Sequence, residues 1–253
     1  MKGIARQLLF YGLLVAIWAA IARLHIWPPY LVPSPRGVFE SLRSGFADHS
    51  FWIAIAVSLK RIAAGYFISV VVGIVLGLLL ASSKFLEQTL GGLLVSLQSL
   101  PSICWLPMAV LWFGLSEKAI LFVVVMGSVL SVTISMETGR KQMPNIYSLA
   151  GRNLGATGLK LFFFVLFPAS LPYLLTGLKQ GWAFAWRSLI AGEMIFVSLG
   201  LGQLLIMGRD LNDMSQVLAV MFLIIAIGYV VDGLILKTLE RRLQYRWGLT
   251  PAT

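Results

Sequence analysis

The sequence predicts an all-α membrane protein with six transmembrane helices. Three observations carry that prediction. Of 253 residues, 58% are hydrophobic and only 12% charged, whereas an ordinary soluble domain carries roughly 25% charged residues. Long charge-free apolar runs recur along the whole chain, and a hydrocarbon core about 30 Å thick needs about 20 apolar residues per helix. Mean hydropathy is +0.88, so the length is consumed by spans and short connections, and a single domain over residues 1–253 is expected.

The first predicted span runs from Leu8 to Trp27. Met1 to Arg6 ahead of the run, with Ala20 and Ala22 near its end, also fits a signal peptide. An uncleaved helix fits better, because apolar residues continue past Arg23. Pro28, Pro29, Pro33 and Pro35 then stop the helix, and a surface segment extends to about Ser50. The second span covers Ile62–Ala81, with Gly65, Gly73 and Gly77 spaced to put small residues on one face, as close helix packing in a membrane requires.

The third span, Leu90 to Phe113, is interrupted by Pro101 and Pro107. Backbone broken at membrane depth is tolerated only against protein or a water-lined cavity, so this span is expected to face the bundle interior. The fourth span is Ala119–Met136. A polar stretch from Glu137 to about Lys160 separates it from the fifth, Tyr173 to Ile206, which carries Lys179, Arg187 and Glu193. Gly200, Gly202 and Gly208, followed by Arg209 to Asp213, predict a turn region outside the membrane. The sixth span is Val217–Leu236, and a basic tail follows.

Charge placement sets the orientation, because Lys and Arg favour the cytoplasmic side of short loops. With both termini cytoplasmic, eleven of the 20 basic residues fall inside: Lys2, Arg6, Lys84, Arg140, Lys141, Arg152, Lys160, Lys237, Arg241, Arg242 and Arg246. Seven fall outside, including Lys60 and Arg61. The basic excess is thereby explained by membrane topology and calls for no nucleic acid. Cys104, the single cysteine, cannot form an internal disulfide and is expected to fill a small apolar space. His25 and His49 lie in the early external region without metal-ligand spacing.

The stretch after the fourth span carries the most information. From Ser148 to Pro168 its small and apolar residues predict two short helices joined at Gly155 to Gly158, a compact cytoplasmic hairpin at about 145–168. It resembles the loop of binding-protein-dependent ABC permeases, whose pattern is Glu-Ala-Ala, three residues, Gly, nine residues, then Ile-x-Leu-Pro. Leu149-Ala150-Gly151 takes the first triplet, Gly155 the glycine, and Val165 to Pro168 the last four places. Leu149 replaces the acidic residue and Gly151 the second alanine. Ser58 to Gly65, Leu100-Pro101 with Leu106-Pro107, Trp112 to Gly114, and Ala185 to Arg187 leading to Glu193 are similar to the nitrate, sulfonate and taurine branch.

The resemblance implies a type I importer fold, in the bacterial cytoplasmic (inner) membrane, working by alternating access. It implies a second permease copy, two cytoplasmic ATP-binding subunits and an extracytoplasmic substrate-binding protein. The chain itself would bind no cofactor, with ATP and Mg on the partner subunit. Leu149, Ala150, Gly151, Arg152, Gly155, Ala156 and Pro168 are the expected ATPase-coupling residues, with Phe162 to Phe164 packed against the spans. The solute best matching the branch is an organic sulfonate, taurine or a nitrate-like anion.

Gln98, Pro101, Trp105, Trp182, Trp186, Arg187 and Glu193 are candidate pathway residues, since they lie on the broken third and charged fifth spans. An arginine near the middle of a span costs about 2.5–3.5 kcal/mol on insertion scales, so Arg187 needs protein or water around it. It could attract an anion, or satisfy a neighbouring span. Glu193, six residues on, is expected to meet a local partner such as a helix end. No Gly-rich loop ending in Gly-Lys-Ser or Gly-Lys-Thr occurs, so hydrolysis is assigned to another chain. A secondary transporter should show internal repeats and midplane ion sites, which the two halves do not display.

Overall fold

The computed structural model describes residues 2–24, 26–28, 30–195 and 199–246, and among them all regular structure is helical. His25 and Pro29 lie outside the described residues. In order, the helices are α1 (Lys2–Arg23), α2 (Pro35–Ala47), α3 (Ser50–Ser82), α4 (Lys84–Leu86), α5 (Gly92–Gln98), α6 (Leu106–Phe113), α7 (Glu117–Gln142), α8 (Asn145–Asn153), α9 (Gly158–Leu161), α10 (Phe167–Ile195), α11 (Leu201–Asp210), α12 (Met214–Val230) and α13 (Lys237–Arg246). Three π-helical turns, Glu87–Gly91, Phe162–Leu166 and Val231–Leu236, join α4 to α5, α9 to α10 and α12 to α13.

Among the described residues five helices are long and apolar enough to cross a membrane, and a sixth crossing follows if Lys84–Gln98 and Ser102–Phe113, bent by 104° at their break, form one broken span. The break falls where Pro101 was expected to place it. Pro107 occupies the first turn of α6, where a missing N–H costs nothing, and therefore does not break it.

Three expectations need correction. The second span starts at Ser50 rather than Ile62, so Lys60 and Arg61 are helical rather than part of a loop. Arg61 is buried, with its Nη2 2.9 Å from Glu117 Oε1. The fifth span ends at Ile195, short of Ile206, and Leu201–Asp210 is a separate helix with Gly202 and Gly208 buried inside it. A glycine-rich run suggests a turn by propensity, but here glycine lets α11 pack tightly: a Cβ on Gly208 would come within 2.9 Å of Val217. The segment after the first span is partly ordered into α2, whose first turn is capped by Ser34 Oγ accepting the Gly37 N–H at 3.1 Å.

The helices group into two compact units. The first comprises Met1–Ser58 and Glu193–Ile227. Its core holds Val38, Phe51, Ala54, Leu201, Ala219 and Val220, and Trp18 donates its indole N–H to the Pro33 carbonyl at 2.9 Å.

The second comprises Leu59–Gly192 and Gly228–Thr253 and is organised around α7. Gly65, Gly73 and Gly77 do form a close seam against α7: a Cβ at these positions would lie 2.7 Å from Val124, 2.7 Å from Val132 and 2.5 Å from the Thr133 carbonyl. Lipid tails give no hydrophobic drive for helices to associate, so close van der Waals approach and interhelical hydrogen bonds do that work. Ser128 Oγ donates to Ser69 Oγ at 2.7 Å across the same seam. Helix α7 also meets α10, with Val132, Met136 and Leu174 in one buried cluster.

Candidate functional site

In the second unit a cavity of about 390 Å³ opens at the break between α5 and α6. Its polar groups come from Gln98, Ser99, Ser102 and Arg187, and Leu100, Pro101, Ile103, Met126, Leu130 and Phe184 supply apolar walls. The break exists because Pro101 has no N–H to continue a helical ladder, and α6 resumes after the short 3-10 turn Ser102–Trp105. Gly127 of α7 lets that turn approach, since a Cβ there would meet Ser188 and lie 3.2 Å from Ser102.

Arg187 brings the only cation to the cavity lining. Its Nε donates to the Ala183 carbonyl at 3.2 Å, and its guanidinium carbon sits 5.2 Å from the centre of the Phe184 ring. No carboxylate among the described residues pairs with it. An arginine held by a ring face and a backbone carbonyl keeps most of its five N–H donors for something else. Gln98 donates Nε2–H to Ser131 Oγ at 3.1 Å, which fixes the amide and leaves its carbonyl oxygen as an acceptor at the cavity.

Of the seven candidate pathway residues, the cavity brings together Gln98, Pro101 and Arg187. Trp105 packs instead toward Phe122, ring centres 6.4 Å apart. Trp182 and Trp186 are buried and stacked at 6.2 Å, with Tyr66 edge-on to Trp182. The spacing i, i+4 on α10 that marks the two tryptophans as one face is the spacing of a packing stripe. Ser99 and Ser102 escaped the sequence reading, although both flank Pro101. Cys104 is exposed on the turn beside the cavity rather than filling a core space.

Glu193 lies in the first unit and is fully buried. Ser58 Oγ donates toward both its oxygens, at 2.9 and 2.8 Å, while Gly202 N–H donates to Oε2 at 3.1 Å. Ser58 Oγ accepts the Leu201 N–H at 3.0 Å. Gly200, the residue before α11, has no side chain to cap that helix. Two side chains from other helices thus satisfy its first amide donors, and a carboxylate at the positive end of a helix is well placed.

At the hairpin, α8 ends at Asn153, Gly155 has φ +80° and Gly158 φ +53°. Gly155 N–H bonds to Arg152 O and Ala156 N–H to Gly151 O, each at 2.9 Å, the paired bonds of a Schellman stop. Gly151 is buried, and a Cβ on it would come 2.6 Å from Leu161 and 3.0 Å from Val165, which accounts for glycine where the related pattern has alanine. Ala156, Phe162 and Val165 pack on a cluster of Met143, Leu161, Leu166 and Ala169. Phe163 and Phe164 do not pack as expected: they are 59% and 80% exposed, because the π-helical turn sends only Phe162 inward. Ile146, Leu149 and Leu154 present an exposed apolar surface on α8 and its end, with Leu154 88% exposed.

Apolar helices long enough to cross a membrane, with a cation beside the break at Pro101, fit a subunit of a membrane transporter. The family described as binding-protein-dependent transport system inner membrane component matches residues 70–246, and the chain belongs to it. It is a multi-pass protein of the cytoplasmic membrane and an ABC importer permease.

Among its relatives, the taurine transport system permease protein TauC of Escherichia coli (strain K12) is 30% identical over 237 residues, covering 92% of this chain and 86% of that one. The nitrate import permease protein NrtB of Synechocystis sp. is 30% identical over 213 residues, covering 81% and 78%. In fold the chain is similar to the solved inward-facing methionine ABC transporter MetNI, with TM-score 0.61 and 19% identity over 76% of this chain and 97% of that one.

Proposed function

We propose that this permease imports a small solute with an anionic group, such as an organic sulfonate, taurine or a nitrate-like ion, along a path that passes the Arg187 cavity. The observation that carries the reading is Arg187 itself: a guanidinium on a transmembrane helix, at a helix break, with no carboxylate partner among the described residues. A lipid-facing arginine is costly, and a face that carries one is best covered by a second copy of the chain, so that two cavities meet along a shared path. Nitrate is an anion and taurine carries a sulfonate, so the names of these relatives agree with a solute that bears an anionic group.

In this reading both termini are cytoplasmic and an external binding protein delivers the solute. Two ATP-binding subunits, holding ATP and Mg, dock on the hairpin at about 145–168. The exposed apolar surface of Ile146, Leu149 and Leu154 supports that docking, because apolar area outside the lipid needs a protein partner. Leu149, Ala150, Gly151, Arg152, Gly155, Ala156 and Pro168 form or shape the docked element.

The test is uptake into liposomes holding the permease, its ATPase and its binding protein, with labelled taurine and labelled nitrate as probes. Uptake of one of them should require ATP and fall at least about tenfold in Arg187→Ala, with the ATPase still bound, since a lost charge-assisted hydrogen bond is worth about 1.5–3 kcal/mol. Uptake that persists without ATP would overturn the importer reading. Uptake unchanged in Arg187→Ala would overturn the anion path.

A further inference from the structure

We propose that Lys141 is a positioning residue that ties the hairpin to the broken span lining the cavity, through Glu87. The inference rests on the reading of the hairpin as the ATPase-docking element and names the contact that carries its motion inward. All the groups involved lie within the second unit.

Lys141 is the penultimate residue of α7, and only Met143 and Pro144 separate that helix from α8. Met143 is buried in the cluster that also holds Leu161 and Leu166, so the end of α7 and the hairpin are packed as one body. Lys141 Nζ lies 2.6 Å from Glu137 Oε1, one turn back on α7, and 2.8 Å from Glu87 Oε1 on a different element. Glu87 opens the π-helical turn Glu87–Gly91, which leads without interruption into α5 and its last residue Gln98. Gln98 lines the cavity and is bonded to Ser131 of α7.

The first half of the broken span is therefore held to α7 at two points: Lys141 to Glu87 at the hairpin end, Ser131 to Gln98 at the cavity end. A π-helical turn inside an α-helix marks a place where register can shift, and such turns cluster at functional sites. A displacement of the hairpin carries Lys141 with it and is delivered at Glu87, the residue from which α5 can turn. Lys141 and Glu87 are 38% and 41% exposed, so the pair adds little to stability and can act by placing the two elements.

Cys104 provides a reporter that needs no knowledge of the solute. It is the single cysteine of the chain and lies exposed on the turn Ser102–Trp105 at the cavity edge. The experiment uses the complete transporter in lipid nanodiscs and follows maleimide labelling of Cys104 without nucleotide and with ATP plus vanadate. In the wild type the rate should differ about fivefold or more between the two states, the scale of ordinary site-to-site coupling.

Lys141→Met and Glu87→Gln should each abolish that difference while the ATPase stays bound and hydrolyses ATP. The double variant should do no more than either single one. Lys141→Arg should keep the response, and Glu137→Gln, which breaks only the pair within α7, should keep it too. A wild-type rate that ignores nucleotide with the ATPase bound, or a normal response in Lys141→Met, overturns the proposal. Failure of the underlying reading shows differently: the ATPase would then copurify equally well when Ile146, Leu149 and Leu154 are all replaced by Ser.

Discussion

Ser58 Oγ lies 2.8 and 2.9 Å from the two carboxylate oxygens of Glu193, and both side chains are entirely buried. The pair spans 135 residues of sequence and caps a helix to which neither residue belongs. A buried carboxylate survives in such a place only because donors surround it.

Ser58→Ala removes one of those donors and also releases the Leu201 N–H. The expected cost is about 1–3 kcal/mol, the penalty for an unsatisfied buried group. Thermal unfolding in detergent measures it, with Ser58→Thr as a partial restoration. Gly200→Ala should destabilise as well, since its Cβ would come within 2.5 Å of the Glu193 carboxyl carbon.

At the hairpin, Gly155→Ala tests the turn by backbone conformation alone, because nothing lies within 4 Å of a Cβ there. The left-handed φ costs an L-residue roughly 1–2 kcal/mol. Hydrogen exchange at Ala156 and its neighbours should quicken about tenfold, since each 1.4 kcal/mol is a factor of ten in opening. The melting temperature of the spans should barely move.

Close packing of α3 on α7 predicts a steep size dependence. Gly77→Ala drives a methyl group into the Thr133 carbonyl, which is backbone and cannot swing aside. Overpacking of this kind costs about 1–3 kcal/mol. Gly12→Ala, with open space around it, is the matched control and should leave the unfolding midpoint unchanged.

Asp48 precedes α3 outside the spans, and its Oδ1 accepts the Ser50 N–H at 2.9 Å. Hydrogen bonding from Ser50 holds its carboxyl below the usual carboxylate range. A depressed folded pKa adds stability that is complete above the unfolded value, near 3.9, and disappears as pH falls through the folded one. Melting curves of wild type and Asp48→Ala should therefore differ slightly at neutral pH and converge in acid. A gap that widens on acidification would refute this cause.

The spans were legible because lipid demands long apolar runs, and Pro101 betrayed the break because proline cannot continue a helix. The hairpin was legible because Gly155 must take a conformation that other residues avoid. Helix α11 was misread because Gly200, Gly202 and Gly208 have turn propensity, and only the long-range neighbours of Gly200 and Gly208 show that small size is what those sites need. The Ser58 and Glu193 pair joins residues from distant helices, and no local pattern announces such a contact. Phe163 and Phe164 were misplaced for a related reason, since the π-helical turn rotates the face that a regular 3.6-residue period would predict.

The glycine seam along α3 has an evolutionary corollary. Gly65 and Gly73 face valine side chains of α7, so a larger residue there can be accepted only after a smaller one has appeared opposite, whereas Gly77 faces backbone that no substitution can trim. Drift at the first two sites must proceed in compensating pairs while the third stays fixed, and the two helices inherit one shared surface rather than two independent ones.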